Sequence, residues 1–405
     1  MEASYTKKWI FKISLLSISL MTMIAPAISP ALPLMYRAFP GYSNSAVETL
    51  LTVPNFGIMI CLFLSPLIIS FIGEKKTVVI GLVLALAAGI FPMFSNDYAL
   101  VFASRFLFGA GVGLFNSLTI SLIARFYKGD ALSSMMGFQS AAGSLGAASV
   151  AFLVSYLVTL GWHQTFLIYA IALPILLLFT LFVPLENDHK SGKTKNIKNK
   201  EHLPHQKINF KIVQLALLIF ILFAFFLVSQ FKLPELVVTK KIATLSQVSL
   251  LSGITTLVGI PVGASYGFIK KKLGGLILPL GFLLTSLGFI LLSLADSLII
   301  IALGVIILGI GFGFCVPSIY VLMADYAPVG SENLASTVLL VFTNVGVFLS
   351  PAILNFIGSF VGGSSAQMSM NISAVIFMII FVVSISNYLI SSKKNNLKLK
   401  GAKND

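Results

Sequence analysis

The stretch ASRFLFGAGVGLF, residues 103–115, sets one arginine and three glycines inside an otherwise apolar run. A second run, GIGFG at residues 309–313, repeats the glycine pattern 200 positions later. Glycines four residues apart on an apolar helix let a neighbouring backbone approach closely, which is how helices pack in lipid. An arginine near the bilayer centre costs about 3 kcal/mol on insertion scales, so it usually faces a bundle interior or a water-filled cavity. The two runs therefore predict a bundle of membrane-spanning helices in two similar parts.

The composition agrees with a membrane location. The chain has 405 residues, of which 57% are hydrophobic and 10% charged, and its mean hydropathy is +0.99. A span needs about 20 apolar residues to cross roughly 30 Å of hydrocarbon. Twelve runs meet this requirement, near 12–36, 46–71, 77–95, 98–123, 133–158, 163–184, 211–237, 246–268, 275–295, 297–323, 334–360 and 367–390. We predict an all-α protein with twelve transmembrane helices in two pseudo-symmetric six-helix bundles.

The basic residues orient these spans. With the N-terminus in the cytoplasm, 22 of the 27 Lys and Arg residues fall on the cytoplasmic side, as the positive-inside rule requires. This placement accounts for the net charge of +14 without a nucleic-acid partner. The basic N-terminal segment resembles a signal peptide, but its apolar run continues to about Met35, so we interpret it as a retained first span. We expect a multi-pass protein of the plasma membrane with both termini in the cytoplasm.

The spans divide into segments with different compositions. We expect an N-terminal bundle at 1–185, a polar cytoplasmic linker at 186–208, a C-terminal bundle at 209–392 and a basic cytoplasmic tail at 393–405. Three histidines in the linker, His189, His202 and His205, allow a metal-sensing role, but a plain solvated linker is favoured because they lack helical i, i+4 spacing. We expect no cofactor and no metal.

The second half repeats the first in order and spacing. A shift of 201 residues brings Pro33 onto Pro234 and Gly73 onto Gly274, and a shift of 200 brings GAGVG (109–113) onto GIGFG (309–313). Several landmarks at nearly one offset indicate a duplication. Repeated halves are typical of transporters that work by alternating access.

The motifs of this chain resemble those of the major facilitator superfamily. The family's loop signature appears as PLIISFIGEKK (66–76), which keeps Gly73, Lys75 and Lys76 but has Ser70 and Phe71 in the Asp-Arg positions. The copy GFIKKKLGG (267–275) keeps Gly267, Lys271 and Gly274, again without an acid. The span-four signature is intact as Arg105, Gly109 and Gly111, whereas in the span-five signature Gly143 is followed by Ser144 instead of proline.

This resemblance implies a central cavity walled by spans one, four, seven and ten, with help from two, five, eight and eleven. It also implies that Arg105 is linked to proton movement and substrate binding, although an arginine snorkelling towards the outer interface is the alternative. The mid-span polar candidates for the cavity are Arg105, Asn116, Gln139, Gln230, Lys232, Tyr320, Asn344 and Asn55. Each of them also fits a simple hydrogen bond between neighbouring helices.

Two carboxylates near the outer ends of spans are candidates for the titrating group, Glu48 and Glu235. For Glu48, a capping box with Ser45 is an equally good interpretation. For Glu235, an ion pair at the external surface is an equally good interpretation. A further set of glycines is assigned to helix packing and gating, with packing favoured: Gly109, Gly111, Gly113, Gly143, Gly309, Gly311 and Gly313.

The first functional hypothesis is a secondary transporter that exports a hydrophobic or amphiphilic compound in exchange for protons. The alternative is an uptake permease for a small anion or metabolite, with Arg105 or Lys232 as the counter-charge. An enzyme is not expected, because the spans contain no metal-binding, nucleophilic or clustered carboxylate motif. The expected partners are a small-molecule substrate, protons and the lipid bilayer, with the chain acting as a monomer.

Overall fold

The computed structural model describes residues 8–22, 24–184, 208–328, 331–361, 363 and 365–401, and within these ranges the chain is almost entirely helical, with no strand. The helices of the first half are α1 Trp9–Thr22, α2 Leu32–Ala38, α3 Asn44–Ile72, α4 Glu74–Ile90, α5 Tyr98–Asn116, α6 Leu118–Phe126, α7 Gly129–Leu160, α8 Trp162–Thr165 and α9 Ala172–Phe182. Those of the second half are α10 Phe210–Phe226, α11 Val228–Lys240, α12 Leu245–Leu273, α13 Ile277–Leu294, α14 Leu298–Tyr326, α15 Glu332–Phe360 and α16 Ala366–Gly401. Short 3-10 helices join several of them.

Eleven helices or joined helix pairs within the described ranges are long and apolar enough to cross a membrane, or twelve if one bent pair is counted as a span. The twelve spans predicted from the sequence coincide with them. The first span is not one straight helix, however, because Trp9–Thr22 and Pro26–Ala38 are bent by 42°. Pro26, Pro30 and Pro33 lack the backbone N–H that a continuous helix needs, and a 3-10 helix, Ala25–Ala31, replaces the α-helix there.

We call the side of the bundle where α1 begins and α16 ends the terminal side, and the opposite side the distal side. The predicted linker at 186–208 lies outside the described residues except for Ile208. The helix α16 continues into the predicted basic tail at 393–405 as far as Gly401.

The internal repeat is visible in how the glycines pack. A Cβ atom built on Gly111 of α5 lies 2.7 Å from the Gly81 carbonyl oxygen of α4, and one built on Gly311 of α14 lies 2.7 Å from the Gly281 carbonyl oxygen of α13. Both pairs are related by the same shift of 200 residues. The two halves therefore repeat this contact between equivalent helices, where only glycine allows the backbones to meet.

The outer members of the two glycine runs face different helices from the central ones. Gly109 and Gly113 meet the backbone of α3, whereas Gly309 and Gly313 meet side chains of α12, Thr255 and Val262. All of these contacts lie inside one half. The glycine runs thus pack helices of the same half against each other.

Candidate functional site

The two halves meet in two seams, both in the distal parts of their helices. In the first seam, between α3 and α15, the Thr52 hydroxyl donates to the Phe348 carbonyl oxygen at 3.2 Å, and Phe56 stacks on Phe348 with ring centroids 4.8 Å apart. In the second seam, between α7 and α12, the Ser249 hydroxyl donates to the Ala151 carbonyl oxygen at 2.6 Å. These contacts close the space between the halves on the distal side.

An ionic cluster lies at the first seam and joins residues from both halves: Tyr36, Glu48, Lys232, Glu235 and Asn355. Lys232 Nζ is 2.6 Å from Glu48 Oε1 and 3.0 Å from Glu235 Oε2. Tyr36 donates its hydroxyl proton to Glu48 Oε1 at 2.9 Å, and Asn355 Nδ2 donates to Glu48 Oε2 at 3.2 Å. The side chains of Glu48 and Lys232 are 0% exposed, so both charges are removed from solvent.

Burial makes this pair hard to break. Removing one partner of a buried ion pair typically costs about 3–5 kcal/mol, because the other charge stays buried and uncompensated. Glu48 belongs to the first half and Lys232 to the second, so separating the halves on the distal side must separate the two charges. The pair therefore links the charge state of the cluster to the distal closure.

Glu48 does not cap the helix in which it lies, because Ser43 does so. The Ser43 side chain accepts a hydrogen bond from the Ala46 N–H at the start of α3. The capping box of Ser45 and Glu48 considered from the sequence is therefore wrong, and Glu48 lies in the second turn, where its side chain points between the halves.

A first cavity of about 210 Å³ lies between the halves on the terminal side of the ionic cluster. Its walls are mostly apolar, with four neutral polar side chains, and its lining residues are Thr22, Pro26, Leu51, Thr52, Asn55, Ile58, Phe223, Leu227, Gln230, Phe231 and Val347. Two of the cavity residues expected from the sequence, Asn55 and Gln230, face each other here from opposite halves.

A second, more polar cavity of about 420 Å³ lies on the terminal side of the second seam. It is lined by Ser19, Thr22, Ile120, Gln139, Gly143, Ser144, Ala147 and Thr256. Gln139 and Gly143 were expected near the cavity or its helix contacts, and Thr22 lines both cavities. None of the described residues lining these two cavities carries a charge.

Arg105 is buried inside the N-terminal half. Its side chain is 0% exposed, and its Nε donates to the Leu50 carbonyl oxygen of α3 at 3.0 Å. Three aromatic rings surround the guanidinium, those of Phe108, Phe166 and Tyr169. Since no part of the side chain is accessible, Arg105 does not face either cavity in this conformation, and it does not snorkel to the surface.

The remaining sequence candidates lie apart from the cluster and from both linings. Asn116 is half-buried at the end of α5, Tyr320 contacts Thr343, and Asn344 Nδ2 donates to the Leu340 carbonyl oxygen at 2.9 Å. These three make local contacts within their own half.

The loop motif forms the tight turns expected of it. Gly73 has φ +85° between α3 and α4, and Gly274 has φ +56° after α12, conformations that a Cβ atom disfavours. Lys75 and Lys76 follow in the first turn of α4, while Gly267 and Lys271 lie within α12.

In the first of these loops Ser70 stands where the family signature has an aspartate. Glu74, the neighbour of Gly73, nevertheless supplies an ion pair, since its Oε2 lies 2.5 Å from Arg125 Nη1 at the end of α6.

Two members of the ionic cluster and two residues that line the first cavity were not predicted from the sequence. Tyr36 and Asn355 gave no signal as isolated polar residues near span ends. Thr22 and Thr52 were missed because hydroxyl side chains are common in helices and usually bond their own backbone. The sequence signal that points to Thr22 is Pro26, which follows it at the break of the first span.

Comparisons with known proteins agree with this architecture. The family model for the Major Facilitator Superfamily matches residues 13–351. No curated protein sequence matches the chain.

Three solved structures share the fold. The nucleoside transporter NupG is similar with a TM-score of 0.73 at 13% identity, covering 93% of this chain and 99% of that one. A POT family transporter in complex with 5-aminolevulinic acid has a TM-score of 0.70 at 14% identity, with 93% and 95% covered. The inward-open xylose transporter XylE from E. coli has a TM-score of 0.69 at 16% identity, with 92% and 94% covered. At these identities the structures establish the fold alone, and the family match over most of the sequence establishes membership: the chain belongs to the Major Facilitator Superfamily of membrane transporters.

Proposed function

We propose that the protein is a proton-coupled secondary transporter that exports a small, uncharged, amphiphilic compound by alternating access. The observation that carries this proposal is the first cavity, which is built by both halves and combines apolar walls with a few neutral polar groups. Such a lining suits a ligand with an apolar body and one or two hydrogen-bonding groups. A fixed anion-binding charge is missing from the described lining, because Arg105 and Lys232 are both buried elsewhere.

The ionic cluster supports the coupling to protons. Two carboxylates, Glu48 and Glu235, share the single ammonium group of Lys232, so the three charges sum to zero only when one carboxylate is protonated. A proton on Glu48 removes the charge that attracts Lys232 across the first seam. Proton binding then favours separation of the halves on the distal side, which is the outer side under the positive-inside rule.

Uptake of a neutral polar metabolite is the second candidate. The second cavity favours it, because hydroxyl groups and the Gln139 amide make up much of its lining. The structural neighbours include a nucleoside transporter and a xylose transporter, whose named substrates are uncharged and rich in hydroxyl groups. The small-anion version of the uptake hypothesis has less support, since neither described cavity lining includes a cation.

Flux in proteoliposomes separates these functions. The probe for export is N-phenyl-1-naphthylamine, a neutral amphiphile whose fluorescence reports its location, and the probes for uptake are radiolabelled uridine and xylose. With the purified full chain, we expect an imposed pH gradient to drive naphthylamine movement opposite to the protons. Movement of uridine or xylose along with protons, with no naphthylamine flux, would establish the uptake function instead.

The Glu48→Gln variant tests the coupling separately from the direction. Glutamine keeps the shape and hydrogen-bonding capacity but cannot carry the charge, so we expect probe exchange without a pH gradient to persist and pH-driven flux to disappear. The matched control is Glu74→Gln, which changes a partly exposed carboxylate outside the seams. Retention of pH-driven flux in Glu48→Gln would remove Glu48 from the coupling mechanism.

A further inference from the structure

The turn of α3 before Pro54 contains a backbone group that its own helix cannot satisfy. In an α-helix each carbonyl accepts from the N–H four residues later, and Pro54 has no N–H to offer the Leu50 carbonyl. The Nε–H of Arg105, on the neighbouring helix α5, donates to this same carbonyl oxygen at 3.0 Å. Because an unsatisfied buried carbonyl is destabilising, the arginine replaces the donor that proline removes.

The next turn of α5 completes the fit around the proline. A Cβ atom on Gly109 would overlap the backbone of Pro54 itself, so only glycine lets the two helices meet at this point. Arg105 and Gly109 are four residues apart and lie on one face of α5. Together they form a surface that fits α3 around Pro54, with the arginine meeting the Leu50 carbonyl and the glycine meeting the proline.

The guanidinium is held in place by its own surroundings. It lies 5.1 Å from the Phe108 ring, 5.6 Å from the Phe166 ring and 5.1 Å from the Tyr169 ring. Such contacts satisfy a buried cation without bringing it to a cavity. They also connect α5 to the segment after α8, so α3 near Pro54 is held against two other parts of the same half.

The segment of α3 around Pro54 carries three groups used in the proposed transport function. Glu48 belongs to the ionic cluster, Thr52 to the first seam and Asn55 to the first cavity. Each lies within five residues of Leu50 in the chain. A change in how this segment packs therefore shifts the distal closure and the cavity wall together.

We propose that Arg105 is a positioning residue which supplies the backbone donor missing opposite Pro54 and thereby sets the direction of Glu48, Thr52 and Asn55. The second half provides an internal control for this assignment. The equivalent of Arg105, 200 residues later, is Val305, and the equivalent of Pro54, 201 residues later, is Thr255. Neither the proline nor the arginine is therefore repeated at the equivalent position of the second half.

Two substitutions separate the hydrogen bond from the charge. The side-chain nitrogen of glutamine lies the same number of bonds from Cα as Arg Nε, so Arg105→Gln keeps a donor near the Leu50 carbonyl but removes the charge. Arg105→Lys keeps the charge but places carbon at that position. We expect Arg105→Gln to raise the KM for N-phenyl-1-naphthylamine by about threefold at most, and Arg105→Lys and Arg105→Leu by about tenfold.

The pH profile of flux gives a second readout on the same variants. Arg105→Gln is expected to keep the wild-type pH dependence, since the proposal gives Arg105 no part in proton movement. A lysine variant that performs better than the glutamine variant, or a glutamine variant with a shifted pH profile, would overturn the proposal. Arg125→Gln, on the exposed end of the same span, serves as the matched control.

A double-mutant cycle with Pro54→Ala tests the pairing itself. Alanine restores the N–H that the Leu50 carbonyl needs, so the loss caused by Arg105→Leu should shrink by at least about threefold in the Pro54→Ala background. Thermal unfolding of the purified full chain in detergent follows the same cycle without any substrate. Recovery of folded Arg105→Leu protein by Pro54→Ala supports the proposal, whereas an equal loss in both backgrounds contradicts it.

Discussion

The two seams between the halves occupy equivalent positions in the repeat but differ in chemistry. With the shift of 201 residues, Glu48 of the first seam corresponds to Ser249 of the second, and Lys232 corresponds to Ala31. The first seam therefore holds a buried ion pair, whereas at the second a hydroxyl bonds a backbone carbonyl. Duplication supplied one closing surface twice, and the buried ion pair that we propose as the proton-responsive group lies in only one of the two described copies.

The second seam keeps the close helix packing of the first seam but does not repeat its buried ion pair. Thr52 of the first seam corresponds to Gly253 of the second, and a Cβ atom on Gly253 would lie 3.2 Å from the Ala151 Cβ. The second seam thus closes by close packing at Gly253 together with the Ser249 hydrogen bond. The difference suggests that one seam acts as the sensor and the other as a passive contact, and substitutions at matched positions test this division.

The largest effect is expected for Lys232→Met. It leaves the fully buried Glu48, and the partly exposed Glu235, without their cation, and a buried charge without its partner costs about 3–5 kcal/mol. We expect pH-driven flux to fall by at least about a hundredfold. The control is Lys240→Met on the same helix, which removes an ammonium that binds the carbonyls of Ser293 and Ala295. An equal loss in both variants would show that the first seam has no special role.

The next effect is the loss of pH dependence when the first seam is converted to a copy of the second. The double variant Glu48→Ser with Lys232→Ala removes both charges together, which is far less costly than removing one. We expect folded protein and substrate exchange to remain, with no response of flux to a pH gradient. Measurement of exchange and of gradient-driven flux on one preparation decides the matter, and retained gradient response would place the sensor outside this seam.

The glycine runs give a smaller contrast between the halves. Alanine at Gly109 must displace the backbone of Pro54, whereas alanine at Gly309 meets only the Thr255 methyl group at 3.0 Å. Overpacking typically costs about 1–3 kcal/mol, so we expect Gly109→Ala to lower the thermal unfolding midpoint clearly and Gly309→Ala to change it little. Equal midpoints in the two variants would contradict the packing described for α3 and α5.

The smallest effect is expected for Ser249→Ala in the second seam. It removes one hydrogen bond to a carbonyl, worth about 1 kcal/mol, and no charge. Flux should change by less than about fivefold, with an unchanged pH profile. A shift of that profile would mean that the second seam also senses protons.

Much of the fold was accessible from the sequence, because the apolar runs and the repeat of glycines report helix length and packing directly. The twelve spans, the duplication and the family were predicted correctly. The break of the first span was not, although Pro26, Pro30 and Pro33 already signalled it. The apolar run continues through these prolines. Because hydropathy depends on side-chain composition alone, it does not reveal that prolines lack the backbone N–H groups of a continuous helix.

The site was less accessible. Glu48, Lys232 and Glu235 were each singled out, but their meeting depends on how two halves dock, and the partners lie far apart in the chain. Arg105 shows the opposite limit. Its burial cost was evident from the sequence, yet its partner is a backbone carbonyl, a group that every residue carries and no pattern reveals, unless a proline four residues ahead marks it as free.

The end of α1 bears on which solutes the protein can accept. Its 14 residues rise about 21 Å at 1.5 Å each, short of the roughly 30 Å of hydrocarbon. As far as it is described, the helix ends at Thr22, beside both cavities. The C-terminal end of a helix carries about half a negative charge on its last carbonyls. We therefore expect this end to favour a solute that presents N–H or O–H groups or a positive charge, and to disfavour a carboxylate.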